Sequence, residues 1–220
     1  MAYPTVDKPY GLKPINLIGG QVFAGATRQR RIASGASSIG YGDPVQLTSS
    51  GTISVSTTTD TPPTAGFAGV FLGCNYVSSV TGQPTYSQAW ISGTAVKSGT
   101  YINAYVADDP NTLFKAVGVT ASLVVSTSSG FVYEDIGTNV ELVANTLNTT
   151  TNDSQQGLLV GSVATTRSLP IRIVDVVEDT AFVSSGTTYY PEVIVKFNAP
   201  YLTSVSLIVG GHAYNNPLGV

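Results

Sequence analysis

Apolar and polar residues alternate along most of this chain in short runs of about four to eight residues bounded by turn residues. That period predicts strands rather than helices. Gly42-Asp43-Pro44 has turn chemistry, and Val45-Gln46-Leu47 and Thr52-Ile53-Ser54-Val55 alternate after it. Residues 67–76 (FAGVFLGCNY) differ in being apolar on both faces. They predict a buried strand, in which Gly69 and Gly73 mark bulges or a close backbone approach. Further strands are predicted over 86–95, 100–107 and 113–117, the last two joined by the turn Asp108-Asp109-Pro110-Asn111. Residues 169–177 and 192–197 read most clearly as strands. Residues 134–147 admit a short helix, against which Gly137 and the β-branched residues argue. Residues 56–66 and 148–157 are polar loops.

The first twenty residues follow neither pattern. Pro4, Pro9, Pro14, Gly11, Gly19 and Gly20 interrupt scattered apolar side chains (Tyr3, Val6, Tyr10, Leu12, Ile15, Leu17). Proline fixes φ and removes a donor, so helix and central strand are both disfavoured. An extended arm is expected, lying on its own body or on a neighbouring subunit. The expected organisation is an arm with a basic patch over residues 1–38 and a β-rich body over 39–220.

Composition sharpens the fold class. Of 220 residues, 10 are Lys or Arg and 13 Asp or Glu, so 10% are charged, against about 25% in an average soluble domain. The hydrophobic share is an ordinary 42%, and the deficit is filled by Thr, Ser, Asn and Gly. These are poor helix formers, which argues against a helical bundle. A net charge of −3 and a mean hydropathy of +0.19 argue against disorder. The expected fold is all-β, a compact barrel or sandwich of short strands with an extended N-terminal arm; a β-tulip-like arrangement is one form it could take.

Charge is unevenly placed. Residues 1–31 hold Lys8, Lys13, Arg28, Arg30 and Arg31 against Asp7 alone, and the rest of the chain holds five basic and twelve acidic side chains. Such asymmetry suits either a basic arm docking on an acidic partner or a solvated loop. A sequence pI of 4.9 and no longer basic stripe leave little capacity to neutralise phosphates, so no nucleic-acid partner is expected. No apolar run approaches the roughly 20 residues of a membrane-spanning helix, and no membrane partner is expected. The first residues lack the continuous apolar core of a secretion signal, so synthesis in a reducing cytoplasm is expected. The scarcity of charge suits a chain that buries much of its surface in an assembly.

Candidate chemistry is sparse. With one cysteine, Cys74, and one histidine, His212, neither an intrachain disulfide nor a Cys/His zinc site of the usual kind can be built. Cys74, flanked by apolar strand residues, reads as a small buried hydrophobe. His212 sits in a glycine-rich tail without a G-x-S-x-G nucleophile elbow and reads as a surface or interface residue. Asp108-Asp109-Pro110-Asn111 lacks the remaining ligands of a calcium loop, and an Asx-turn accounts for it. The glycines lie in strands and turns, so no nucleotide site is supported. Glu134, Asp135 and Glu141 lack an aromatic-lined cleft nearby, and Tyr189, Tyr190 and Trp90 read as core or interface. Asn148-Thr149-Thr150 matches a glycosylation sequon without a secretion signal to make it relevant. No catalytic residue, cofactor or metal is expected, and a structural or binding protein remains.

One resemblance adds to this. Val6-Asp7-Lys8-Pro9-Tyr10-Gly11-Leu12-Lys13-Pro14 resembles the opening of a family of head proteins of tailed bacteriophages, and further segments resemble that family in order. They are Tyr41-Gly42-Asp43-Pro44-Val45-Gln46-Leu47, residues 69–76, residues 104–114 and residues 169–177. The resemblance implies a decoration, or cement, protein on the outer surface of the capsid, which clamps capsomers of the mature head against DNA pressure. It implies the major capsid protein as partner, a homotrimer, and neighbouring decoration subunits reached by the arm. Arg28, Arg30, Arg31, Tyr10 and Leu12 are the expected capsid contacts. A fibre or receptor-binding component displaying loops to a host glycan is the alternative. A hydrolase working through His212 ranks third.

Overall fold

The computed structural model describes residues 6–33, 35–57, 61–64, 66–202 and 208–215. The chain is all-β, built on two main sheets. In the first, β10 (Leu142–Val143), β11 (Gly157–Leu159), β8 (Thr112–Val119), β15 (Glu192–Phe197), β12 (Ile171–Val176) and β9 (Asn139–Val140) lie in that order, with β1 (Lys13–Leu17) also along β8. In the second the order is β2 (Arg28–Arg31), β7 (Asn103–Ala107), β5 (Phe67–Val77), β3 (Pro44–Leu47) and β4 (Ile53–Val55), with β6 (Pro84–Ser87) on the far end of β5. Two hairpins, β13 (Phe182–Ser184) with β14 (Thr187–Tyr189) and β16 (Tyr201–Leu202) with β17 (Ile208–Val209), complete it.

Each sheet has its own core, and β5 serves both. Phe67 and Val70 pack with Phe114, Ile171, Ile173, Val193 and Val195 under the first sheet, while Ala68, Phe71 and Cys74 pack with Val45, Ile53, Trp90 and Val106 under the second. This is why residues 67–76 are apolar at almost every position. Strict alternation would place Phe67 and Val70 on opposite faces. A bulge at Ala68-Gly69, where Val45 pairs with Gly69 and Gln46 with Phe67, adds one residue and restores Val70 to the first core. A second bulge at Leu72-Gly73 does the same for Cys74 on the other side. Both glycines hold φ values, +136° and +137°, that L side chains rarely adopt.

A buried polar knot closes the seam between the sheets. Asp43 Oδ2 accepts the Gly40 N–H at 2.7 Å and Asp43 Oδ1 accepts Gln156 Nε2 at 3.1 Å. The Ser154 hydroxyl donates to the same carboxylate and accepts the Gln156 N–H at 3.0 Å. Burial pushes the Asp43 carboxyl up, against the pull of these donors.

Within the arm expected over residues 1–38, the described residues from Gly11 to Arg31 pair with the body. Gly11 N–H donates to Gln156 O at 3.0 Å and Leu12 N–H to Gly42 O at 2.9 Å. β1 is antiparallel to β8, and β2 to β7. From Tyr10 onward the segment is thus woven into both sheets, because its apolar residues and its backbone donors find partners in the same chain. The expected crossing of residues 1–20 to a neighbouring subunit falls partly on residues 1–5, which lie outside the described residues. Two element expectations are corrected. Residues 134–147 hold only a 3-10 turn (Tyr133–Asp135) followed by β9 and β10, since Gly137 adopts φ +87° just where a helix would continue. The strand expected over 86–95 stops at Ser87, where the chain turns so that Trp90 covers the second core and bridges to Ile39.

Candidate interaction surface

β2 is an edge strand reading Arg-Gln-Arg-Arg, and its alternation decides what the arginines do. Arg28 and Arg30 share one face. Arg28 Nε lies 2.6 Å from Asp108 Oδ2, and Arg30 Nη2 lies 3.9 Å from the same oxygen. The Tyr214 hydroxyl donates to Asp108 Oδ2 at 2.5 Å and accepts from Arg30 Nη2. Partial burial and the carboxylate it donates to push the Tyr214 hydroxyl up. Arg31 turns to the other face, where its guanidinium stacks 3.5 Å from the Tyr101 ring centroid. The three arginines therefore do not form one patch. Two share a carboxylate of their own chain, and the third sits on an exposed aromatic ring. Arg28 keeps 59% of its side chain in solvent.

Tyr10 and Leu12 are placed inward. Leu12 is 1% exposed and belongs to the first core, which removes it from any outer contact surface. The Tyr10 hydroxyl donates to Glu192 Oε1, an oxygen that also lies 3.0 Å from Lys115 Nζ. Lys13 and Lys115 lie over the Tyr10 ring at 4.4 and 5.6 Å. Burial and the Glu192 carboxylate hold the Tyr10 hydroxyl protonated at any ordinary pH. This group anchors the start of the chain to the first sheet.

His212 is also corrected: it is 2% exposed. Its segment bridges to Phe67 and is held by the Ala213 N–H donating to Phe67 O at 2.7 Å. Nδ1 accepts the Tyr214 N–H at 3.2 Å, and Nε2 has no partner among the described residues, so neither nitrogen holds a serine hydroxyl of those residues. Burial lowers its pKa to about 4, against the opposing pull of Asp108 and Asp109. Asp109 Oδ1 accepts the Asn111 N–H at 2.8 Å, an Asx-turn. Cys74 is buried, and burial raises its thiol to about 11. Among the described residues no group of three or more His, Cys, Asp or Glu side chains is placed to hold a metal ion. No helix is long and apolar enough to cross a membrane among these residues.

Sequence reasoning passed over Asp108 and Tyr214 as partners of the arginines. They lie 106 residues apart, and no local spacing joins them. Beside them an open cleft of about 560 Å³ is lined by Thr27, Arg28, Asp108, Asp109, Asn111 and Tyr214, among others. Comparison with protein-family models, with curated proteins and with solved structures finds no match to this chain.

Proposed function

We propose that this chain is a structural protein of a tailed-phage head, a decoration subunit that binds the outer surface of the capsid and cements its capsomers. The observation that carries the reading is the in-order run of segments resembling that family, from Val6 to residues 169–177. An all-β body poor in charge and an edge strand rich in arginine on an otherwise acidic chain support it. A subunit that binds only the assembled, mature shell stabilises it by mass action, repeated at every copy. In a homotrimer the three copies act together, which raises effective concentration without new contacts. Partner recognition falls to β2, where among the described residues Arg31 has no carboxylate partner and Arg28 shares Asp108 with Arg30. The test is the copy number of the chain in purified particles, by quantitative mass spectrometry against the major shell protein. A ratio near one to one is expected, and a handful of copies per particle would overturn the reading.

The arginines give a second test. Arg31→Gln is expected to weaken shell binding by roughly three- to fivefold and to flatten its salt dependence, as for one exposed ion pair. Arg28→Gln is expected to do less, because Asp108 already neutralises part of its charge. Equal affinity and equal salt slope for Arg31→Gln and the unaltered chain would show the strand's charge to be incidental.

The cleft beside Tyr214 favours a second reading, a fibre component binding a host glycan. Its carboxylates, amide and aromatic ring suit sugar hydroxyls and ring faces. Arg28, Arg30 and His212 already crowd the Tyr214 ring, which ranks it second. Saturable glycan binding abolished by Tyr214→Ala, together with low copy number, would reverse the order.

A further inference from the structure

On the outer side of the β12–β15 pair, Arg172 and Lys196 are register partners, directly opposite each other on antiparallel strands. Opposed side chains in such a pair point to the same face and come close, and like charges there repel. Neither side chain forms a salt bridge among the described residues, where the ion pairs involve only Arg28, Arg30 and Lys115. Both line a recess of about 270 Å³ whose walls include Phe197, Pro110 and Pro200.

His212 forms part of the same wall. Its tautomer follows from its one hydrogen bond. A backbone N–H can only donate, so Nδ1 is the acceptor for Tyr214, and in the neutral ring the proton is on Nε2. That N–H is buried, and no acceptor for it lies among the described residues. Among the described residues the two cations of this recess have no ion-pair partner, so the recess lacks an acceptor that carries negative charge. The carboxylates that act on His212, Asp108 and Asp109, do not supply it, and Asp175, on the outer face of the same strand as Arg172, accepts the Val176 N–H through Oδ1. Asp108 is held by Arg28 and Tyr214, and Asp109 accepts the Asn111 N–H.

We propose that this recess is an oxyanion site, in which Arg172 and Lys196 hold a carboxylate or phosphate group against the His212 wall. The proposal is independent of the capsid reading. The guanidinium offers a planar pair of donors and the ammonium a point charge, a combination that suits a two- or three-oxygen anion. The bound anion turns a repulsive cross-strand pair into a bridged one.

The test is a titration of the full chain with inorganic phosphate, and separately with acetate, at constant ionic strength set by chloride. It is followed by the nitrogen-bound proton resonances of Arg172 and His212 and by the thermal midpoint. Saturable shifts at millimolar anion and a rise in midpoint are expected. Saturation by phosphate alone identifies a phosphate site, and saturation by acetate identifies a carboxylate site. The double variant Arg172→Gln with Lys196→Gln is expected to weaken binding at least tenfold. Its anion-free midpoint is expected to equal or exceed that of the unaltered chain, because the repulsive pair is gone. Shifts that grow linearly and match those with chloride would overturn the proposal. So would shifts that persist in the double variant, or a double variant less stable without anion, which would make the two cations structural.

Discussion

Gly69→Ala is expected to destabilise the fold by about 3–5 kcal/mol, combining backbone strain of about 1–3 kcal/mol with overpacking of similar size. A Cβ at this position would lie 2.3 Å from Ala107 O and 2.7 Å from Val106 Cγ1. The first is backbone of β7, so relief requires moving a strand, and β7 is hydrogen-bonded to both β5 and β2. The bulge also sets which core each β5 side chain enters, so its loss places Phe67 and Val70 in conflict. Gly51 provides the scale. It has φ +73° with nothing within 4 Å of an added Cβ, and Gly51→Ala isolates the left-handed backbone penalty of about 1–2 kcal/mol. Gly73 lies between, with its nearest contact, Ser87 O, at 3.1 Å. Urea unfolding of the three variants should rank them Gly51, Gly73, Gly69 in increasing loss. A Gly69→Ala loss no larger than that of Gly51→Ala would show that β7 yields and that the bulge does not fix the two cores.

This bulge was partly legible in the sequence. A ten-residue run apolar on both faces with glycine at two interior positions has few uses other than a strand between two packed layers, and β5 is that strand. The strands at 192–197 and 169–177 were legible for the same reason, since apolar β-branched residues with little Gly or Pro leave one option. The fate of residues 11–31 was not. Proline and glycine forbid regular internal bonding, but they do not say whether the backbone donors find partners in the same chain. Here Gly42, Gln156, β8 and β7 supply them.

The arginines show a finer limit. Once β2 is known to be a strand, alternation separates Arg31 from Arg28 and Arg30, yet nothing near Arg28 in sequence reveals the strand. Its partners Asp108 and Tyr214 come from a turn and from the other end of the chain. The consecutive glycines before His212 have the composition of a tail that frays. They instead make a tight turn, with Gly210 and Gly211 at φ +81° and +69°, and a Cβ on Gly211 would meet Pro200 at 2.5 Å. Glycine marks both loose and very close backbone, and only the non-local neighbour decides which.

Stability is expected to fall by about 3 kcal/mol through His212 alone as pH drops from 6.5 to 4. The folded pKa of about 4 lies below the ordinary 6.5. Between those values the unfolded chain therefore binds more protons than the folded one, and stability rises with pH. The contribution is complete above pH 6.5 and is lost on acidification at about 1.4 kcal/mol per pH unit. Burial is the main cause; Arg30 works in the same direction, and Asp108 and Asp109 oppose it. Asp43 acts with the opposite sign. Burial raises its carboxyl above 3.8, so the folded chain takes up that proton first and acid favours it. The two are separated by variants. Urea unfolding of His212→Phe at pH 7, 6, 5 and 4.5 should lack the histidine's part of the acid loss, whereas Asp43→Asn should steepen it. The imidazole carbon shift of His212 gives the folded pKa directly, and a midpoint near 6.5 would contradict the buried, neutral state. An oxyanion in the neighbouring recess would favour the imidazolium, so phosphate is expected to move that midpoint upward, and by less once Arg172 and Lys196 are replaced.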